Sequence, residues 1–293
     1  MDAILVYNDS AGSGDHSSDE LIALLASSGW QAQLISSDDE RMEDILKEAN
    51  GPVIVAGGDG TVAKTVVALR GRAVPIAILP IGGSNNIARA FGLTARLENL
   101  IAGLSEAPIA ALDIGVAEGD WGSTSFVEAA GSGALTDALC NMEGHASSTQ
   151  EKLAMGRDAL ADQLAGAEAY DYILCIDGRE SKDAFLMLEV LNIPAIGPRL
   201  RLAPDADPGD GLLHAVTLSI EQRGEFLIWL KEPEGPPPVS RVSGREIRIL
   251  EGPDKIRLDD PKSTVERCRK PVRLYLRPNP APMLIPNVRE ETT

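Results

Sequence analysis

The stretch that decides the fold is Val53-Ile-Val-Ala-Gly57-Gly-Asp-Gly-Thr61, which is followed by a helical pattern from Val62. Four apolar residues in a row predict a strand buried on both faces, and the glycines allow a tight turn into a helix. Backbone N–H groups at such a turn, together with the positive end of the helix, form a cradle for phosphate. The alternative is an ordinary glycine-rich turn with a solvated aspartate.

Alternation of short apolar runs with helical patterns predicts an α/β domain over residues 1–107. Its expected strands are all apolar enough for burial on both faces, and three helical segments lie between them. The strands are predicted at residues 3–7, 31–35, 53–56 and 75–79, and the helices at 18–28, 39–49 and 62–69.

A second, β-rich domain is predicted over residues 108–276, because strand-like runs become more numerous after Pro108. One long helical insert is expected at about 148–168, with Ser and Thr residues as possible caps. Prolines predict a loop at 232–239 and interrupt the tail from Pro278 to Pro286. The strand-like runs are 111–116, 125–130, 170–176, 184–191, 200–203, 212–218, 246–250 and 272–276.

Two further loops resemble the first in architecture. Gly82-Gly83-Ser84-Asn85 follows the fourth predicted strand and opens into a helix, and Asn8-Asp-Ser-Ala-Gly12-Ser-Gly14 follows the first strand. By itself, the Gly-Gly-Ser-Asn turn is equally compatible with a simple turn and helix cap. Because ligands bind open α/β sheets at the carboxyl ends of the strands, we expect the three loops to converge on one crevice.

Carboxylates in two turns are the remaining candidates for chemistry. Asp59 suits a magnesium ion held through water, or the acceptance of a proton from a substrate hydroxyl. The turn from Ala203 to Leu212 places Asp207 and Asp210 where a hard cation could bind, although an acidic hairpin loop is nearly as good an interpretation. Asp259-Asp260-Pro261 offers another carboxylate pair or only a turn.

Other polar residues give weaker signals. Glu128 and Glu189 stand in apolar runs, where a buried carboxylate needs a partner. The three histidines, His16, His145 and His214, are too dispersed to indicate a triad or a metal site.

The composition excludes several classes of protein. Lys and Arg number 27 against 44 Asp and Glu, so the net charge of −17 argues against nucleic acid as a partner and against strong attraction to an anionic membrane. Brief membrane contact through a local basic patch, such as Arg199 with Arg201, is compatible with this charge. Three cysteines without Cys-x-x-Cys spacing fit a reducing cytosol, and neither a signal peptide nor a transmembrane stretch is predicted.

The ordered motifs resemble the diacylglycerol kinase-like lipid kinases, the family that includes bacterial lipid kinases and sphingosine kinases. Residues 8–14 look like its Asn-Pro-x-Ser-Gly loop, residues 57–61 match its Gly-Gly-Asp-Gly-Thr motif, and residues 80–92 are similar to its second nucleotide loop. Residues 204–213 look like its Pro-x-Ala…Asp-Gly-x-Leu motif.

This resemblance implies an α/β nucleotide-binding domain like that of NAD kinases and phosphofructokinases, joined to a β-sandwich lipid domain. It implies transfer of the γ-phosphoryl group of ATP to a lipid hydroxyl such as that of diacylglycerol, with residues 277–293 returning to the first domain. The implied ATP contacts are Asn8, Gly57, Gly58, Asp59, Gly60, Thr61, Gly82, Gly83, Ser84 and Asn85. Asp210, with backbone groups of Asp207 and Leu212, would hold a structural Mg²⁺.

The chain departs from the family pattern at several positions. Gly83 replaces a Thr or Ser that touches ATP, Asn86 replaces a frequent Asp, and Ala63 with Lys64 replaces a frequent Asn and Glu. The catalytic Glu of the family corresponds to Pro261. Because proline cannot accept a proton, the hypothesis is that Asp260, or Asp59 alone, acts as the base or that catalysis is weak.

Two alternatives to a lipid kinase remain open. One is a non-catalytic regulator that binds nucleotide or lipid, which Gly83 and Pro261 favour. The other is an NAD kinase, although the Asn-Glu pair that such enzymes use for the nicotinamide ribose is absent from the sequence. For the lipid kinase, we expect a cytoplasmic protein that approaches its membrane lipid peripherally; the oligomeric state is open, a homodimer included.

Overall fold

The computed structural model describes residues 1–11, 16–141, 148–265 and 267–287, without the side chains of residues 261–264. The predicted loop residues Gly12 and Gly14, and His145, lie outside the described residues. Contacts divide the chain into two units, the first formed by Met1–Leu112 and the segment from Asn279, the second by Asp113–Pro278.

Among the described residues, the strands lie in three sheets of six strands each. In chain order they are β1 (Asp2–Tyr7), β2 (Gln31–Ser36), β3 (Val53–Gly57), β4 (Ile76–Pro80), β5 (Ile109–Leu112), β6 (Gly115–Gly119), β7 (Gly122–Phe126), β8 (Ala129–Gly133), β9 (Tyr170–Ile176), β10 (Arg179–Phe185), β11 (Met187–Leu191), β12 (Leu213–Leu218), β13 (Ser240–Gly244), β14 (Glu246–Glu251), β15 (Ile256–Leu258), β16 (Asp260–Val265), β17 (Val272–Leu276) and β18 (Ala281–Leu284).

The helices are distributed over both units. They are α1 (Ser18–Ser27), α2 (Met42–Lys47), α3 (Asp59–Ala68), α4 (Asn86–Ala90), α5 (Leu97–Gly103), a 3-10 helix at Leu104–Glu106, α6 (Ala134–Cys140), α7 (Thr149–Gly166) and α8 (Arg223–Trp229). Ser17 caps α1 and Ser148 caps α7, because each hydroxyl accepts the N–H three residues further along the chain. None of these helices is both long and apolar enough to cross a membrane.

The sheet of the first unit has the order β2-β1-β3-β4-β18-β5. Strands β1 to β4 and β18 are parallel along this order, whereas β5 pairs antiparallel with β18. Every residue of β3 is buried, as the apolar run predicts. The predicted strand at residues 31–35 is present as β2, but its expected burial on both faces was wrong: this edge strand buries only Ile35, and Leu34 is 41% exposed.

The second unit is a β-sandwich with helices on one side. The two sheets, β10-β9-β14-β17-β6-β7 and β13-β12-β11-β8-β15-β16, contribute apolar side chains to a shared core that includes Tyr172, Val190 and Leu274. A second core lies between the latter sheet and the helices, with Leu135, Leu160 and Phe226 among its members. The predicted fold class, α/β followed by a β-sandwich, is confirmed.

Several predicted strands required correction. The run 125–130 is divided between β7 and β8, the run 184–191 between β10 and β11, and the run 111–116 between β5 and β6. Residues 200–203 are not a strand; only Leu200 makes a single bridge, to Ile196. The proline-broken tail contains β18, which is hydrogen-bonded between β4 and β5.

Candidate functional site

Three loops meet at the carboxyl ends of β1, β3 and β4, which are neighbours in the sheet of the first unit. The side-chain amide of Asn8, directly after β1, donates to Thr61 Oγ1 at 2.9 Å, and its backbone N–H donates to Ala56 O at 3.0 Å. The first loop is therefore joined to the loop after β3, as the sequence predicts for strand ends at one sheet edge.

The loops after β3 and β4 are in backbone contact through their glycines. A Cβ atom on Gly82 would collide with Cα of Gly58, and one on Gly57 would lie 2.7 Å from Cβ of Thr61. Side chains at Gly57 and Gly82 are thus excluded by the packing of the protein itself, before any ligand is considered.

The amino end of α3 presents two free amides. In the described part of the chain, the N–H groups of Gly60 and Thr61 have no hydrogen-bond acceptor, because they belong to the first turn and Val62 is the first residue to donate back, to Gly58 O. Gly60 is exposed. This helix end can therefore bind an anion with free donors and with its dipole.

Asp59 links the two glycine loops. Its Oδ1 accepts the N–H of Ile87 at 2.9 Å, so the carboxylate caps the start of α4. Burial raises the pKa of this carboxyl above its usual value, while the N–H groups of Ile87, Asn86, Asp59 itself and Asn85 oppose that shift. The Asp59 carboxylate thus stabilises the loop after β4, in addition to any role toward a ligand.

Asn85 fixes the shape of the second loop. Its backbone is left-handed, with φ of 52°, and its Nδ2 donates to Pro80 O (3.1 Å) and Gly82 O (2.8 Å), while its Oδ1 accepts the N–H of Gly82 at 3.0 Å. The amide group is engaged within the loop at both ends. Gly83 and Ser84, the other predicted contacts of this loop, are partly exposed.

The acidic turn of the second unit is closed by its own hydrogen bonds. Asp207 Oδ1 accepts the N–H of Gly209 (3.0 Å), and Asp210 Oδ1 accepts the N–H of Leu212 (2.8 Å). Asp113 Oδ2 joins them by accepting the N–H of Gly211 at 2.8 Å. Within the described residues, no three His, Cys, Asp or Glu side chains are close enough together to hold a metal ion.

Charge nevertheless accumulates at this turn. Burial raises the pKa of Asp113, the N–H of Gly211 opposes the shift, and the charges of Asp210 and Asp207 raise it further. A hard cation that used one oxygen of Asp210 and backbone carbonyls would relieve this repulsion, so the donor set suits Mg²⁺.

Asp259 and Asp260 have different environments. Asp259 has φ of 54°, and its carboxylate accepts three N–H groups, from Val127 (2.8 Å), Glu128 (2.7 Å) and Ala129 (3.0 Å). Burial raises the pKa of Asp259 to about 6 despite these donors. Asp260, the first residue of β16, is exposed.

Glu189 has the partner that a buried carboxylate needs. Its Oε2 lies 2.7 Å from Nη2 of Arg257, and both side chains are fully buried. Gly131 pairs with Glu189 on one side and Arg257 on the other, and a Cβ atom there would collide with the Glu189 carboxylate. Burial raises the pKa of Glu189 to about 7, although the charge and the hydrogen bond of Arg257 act to lower it.

Asp113 and Asn192 are structural polar residues that sequence reasoning missed. Asn192 is fully buried, and its Nδ2 donates to the carbonyl groups of Asp113 (2.8 Å) and Val127 (2.9 Å). Each residue interrupts an apolar run, Ala-Leu-Asp-Ile for Asp113 and Val-Leu-Asn-Ile for Asn192, and that interruption was an available signal.

Two family models match consecutive parts of the chain. Residues 2–117 match the diacylglycerol kinase catalytic domain, and residues 129–260 match the YegS C-terminal NAD kinase beta sandwich-like domain. A diacylglycerol kinase of Mycobacterium tuberculosis (strain CDC 1551 / Oshkosh) is 29% identical over 183 residues, and one of Bacillus subtilis (strain 168) is 25% identical over 182 residues. These alignments cover 60% of this chain and 57% of each relative's length.

Solved structures agree with this fold over nearly the whole chain. A diacylglycerol kinase structure from Bacillus anthracis str. Sterne superposes with a TM-score of 0.72, covering 98% of this chain and 97% of that chain at 18% identity. Two other solved chains from the same organism give TM-scores of 0.75 and 0.71. With both of its units matched in order and its glycine loops in contact, the chain belongs to the diacylglycerol kinase-like lipid kinase family.

Proposed function

We propose that this protein is an ATP-dependent lipid kinase that transfers the γ-phosphoryl group to a lipid hydroxyl, with diacylglycerol as the leading substrate. The observation that carries the proposal is the pair of free N–H groups of Gly60 and Thr61 at the start of α3. These donors suit the phosphate tail of a nucleotide, and the contact between Gly58 and Gly82 brings the second loop to the same place. The names of the curated relatives supply the substrate class.

In this proposal, the nucleotide contacts are the residues that meet at the sheet edge. Asn8 orients the Thr61 hydroxyl, Asp59 holds the second loop in place, and Gly83 and Ser84 flank the bound nucleotide. Asp210 and backbone groups of Asp207 and Leu212 hold Mg²⁺, which neutralises the carboxylates of the acidic turn.

The proton of the lipid hydroxyl requires an acceptor. Pro261 has none, so we assign the role to Asp59 or to the exposed Asp260. Phosphoryl transfer depends chiefly on positioning and charge stabilisation, so a poor base lowers the rate without abolishing turnover. Loss of a general base costs about 10²–10⁴-fold.

The test is an assay with purified protein, γ-labelled ATP, Mg²⁺ and mixed micelles that contain diacylglycerol. We expect labelled phosphatidate, with Asp59→Asn or Asp260→Asn lowering the rate by about 10²–10⁴-fold, depending on which carboxylate is the base. NAD is included as a competing acceptor, and labelled NADP in place of labelled lipid would reassign the enzyme.

A second candidate is a catalytically inactive regulator that binds nucleotide. The observation in its favour is that the Asp59 carboxylate already accepts the N–H of Ile87, in a chain with Pro261 at the position of the family's glutamate. Binding of ATP with no labelled product from lipid or NAD would establish this role and refute the kinase.

A further inference from the structure

A cavity of about 360 Å³ lies beside the second glycine loop, within the first unit. Pro80 and Asn85 form the side shared with that loop, and Leu93 with Leu97 supplies apolar wall. The volume is within the range of small-molecule sites, which combine apolar walls with a few polar groups. The cavity shares Pro80, Asn85 and Arg89 with the motif at residues 80–92, whereas His16 and residues 93–98 of its lining belong to none of the motifs discussed above.

The two arginine side chains of the cavity make few hydrogen bonds or ion pairs with the rest of the protein. In the described part of the chain, the guanidinium group of Arg89 has no hydrogen-bond or ion-pair partner. Arg96 has only a loose contact with Glu98 at 3.6 Å, and its side chain is 84% exposed. An exposed pair of this kind contributes about 0–1 kcal/mol, so Arg96 is available to a ligand at little cost.

Two further polar side chains, His16 and Thr94, line the cavity. His16 Nδ1 is buried without a hydrogen bond, because the nearest carboxylate oxygen, on Glu20, lies 3.6 Å away. The hydroxyl group of Thr94 also has no hydrogen-bond partner among the described residues. Both groups are therefore available for a hydrogen bond to a ligand.

The local charge is opposite to that of the chain. Arg89 and Arg96 against Glu98 leave one positive charge on the lining, whereas the whole chain carries −17. A cavity lined by the unpaired guanidinium group of Arg89 and the weakly paired one of Arg96, in an otherwise acidic protein, favours an anion, and guanidinium groups match phosphate geometry particularly well.

We propose that this cavity is an accessory binding site for a small phosphate monoester, held by Arg89 and Arg96 with Thr94 and His16 as further donors. Its occupant contacts Asn85, the residue that fixes the second glycine loop, so binding there also acts on that loop. The site does not depend on the kinase function proposed above.

The experiment titrates glycerol 3-phosphate into the full chain at low ionic strength without nucleotide, and follows the imidazole resonance of His16 by NMR. His16→Asn assigns that resonance. We expect a saturable shift in the wild type, and Arg89→Gln to weaken the affinity at least about tenfold. Arg157→Gln is the matched control, because Arg157 also lacks a partner in the described chain but lies in the second unit, and we expect it to leave the affinity within about twofold.

Three outcomes overturn the proposal. No shift at saturating glycerol 3-phosphate excludes the site. An equal loss of affinity in Arg89→Gln and Arg157→Gln reduces it to a general charge effect. Binding to phosphatidate vesicles without binding to glycerol 3-phosphate assigns the surface to membrane contact. Lipid phosphorylation is measured separately, so its failure leaves this result intact.

Discussion

Asp59 in the first unit and Asp259 in the second hold neighbouring segments in similar ways, but their prominence in the sequence is very different. Asp59 stands in a glycine motif, and its carboxylate accepts the N–H of Ile87 at the start of α4, with the neighbouring N–H groups of Asn85 and Asn86 also lowering its pKa. Asp259 stands in an inconspicuous turn, yet accepts three N–H groups from residues more than 120 positions earlier. A prominent motif therefore says little about which carboxylate stabilises the fold.

The largest expected effect follows from removing the Asp259 carboxylate, whose hydrogen bonds reach a segment distant in the sequence. Asp259→Ala leaves three N–H groups at Val127–Ala129 without their acceptor, and we expect a loss of about 4 kcal/mol in the free energy of unfolding. Urea unfolding measures it. Asp260→Ala is the control, since Asp260 is exposed and should change stability by about 0.5 kcal/mol or less. Equal effects of the two variants would contradict the distinction.

Next in size is the contact between the two glycine loops. Gly82→Ala places a Cβ atom against Cα of Gly58 and 2.7 Å from Asn85 Oδ1, so we expect a loss of about 3 kcal/mol and weaker binding of Mg-ATP. Gly224→Ala in α8 is the control, because nothing lies within 4 Å of its Cβ position. That variant should be neutral or gain up to about 1 kcal/mol. Unchanged stability of Gly82→Ala would show that the loops do not pack as described.

The third prediction concerns the pH dependence of the free energy of unfolding, to which the buried carboxyl of Glu189 contributes. The pKa of Glu189 is about 7 in the folded chain, above the ordinary value of 4.5, so the folded state binds more protons than the unfolded state between these values. Its contribution is greatest at low pH and is lost as the pH rises through 7. Between pH 5.5 and 8.5, the wild type should lose about 2 kcal/mol more than Glu189→Gln does.

Urea unfolding at several pH values gives both slopes. The comparison with Glu189→Gln cancels the contributions of other titrating groups to the pH dependence of stability. Among these groups are His214, whose pKa burial lowers, and Asp259, whose pKa burial raises. Parallel pH profiles of the two proteins would place the pKa of Glu189 at its ordinary value.

The smallest effect is expected at the conspicuous carboxylate. Asp59→Ala removes the cap of α4 and should cost about 1 kcal/mol, whereas Asp59→Asn keeps an acceptor oxygen for the Ile87 N–H and should cost about 0.5 kcal/mol. Urea unfolding of both variants measures the cap. A loss as large as that of Asp259→Ala would remove the contrast between the two residues.

Local patterns predicted the first unit well because its strands are short apolar runs between helical segments. β3 and the glycine turn were placed correctly from residues 53–61 alone, although α3 begins at Asp59 and includes most of the turn. The strand at residues 31–35 was predicted correctly as β2, but its expected burial on both faces was wrong because burial depends on its position at the sheet edge, which local hydrophobicity does not report.

Long-range hydrogen bonds explain what the sequence left undetermined in the second unit. The run 125–130 looks continuous, but it breaks between β7 and β8 where the N–H groups of Val127 and Glu128 turn toward Asp259. Glu189 was correctly expected to need a partner, but no local pattern could identify Arg257, or Gly131 as the residue that leaves room for both. The sequence did not indicate that the side-chain amide of Asn85 is hydrogen-bonded within its own loop, and its predicted contact with ATP stays a prediction.

The central claim is that the free amides at the start of α3 bind the phosphate tail of a nucleotide. The most direct measurement is an NMR titration of protein labelled with ¹⁵N-glycine and ¹⁵N-threonine with Mg-ATP. We expect saturable shifts of the Gly60 and Thr61 amides, with Gly224 in the second unit unchanged as an internal reference. Unperturbed Gly60 and Thr61 amides at saturating Mg-ATP would contradict the claim.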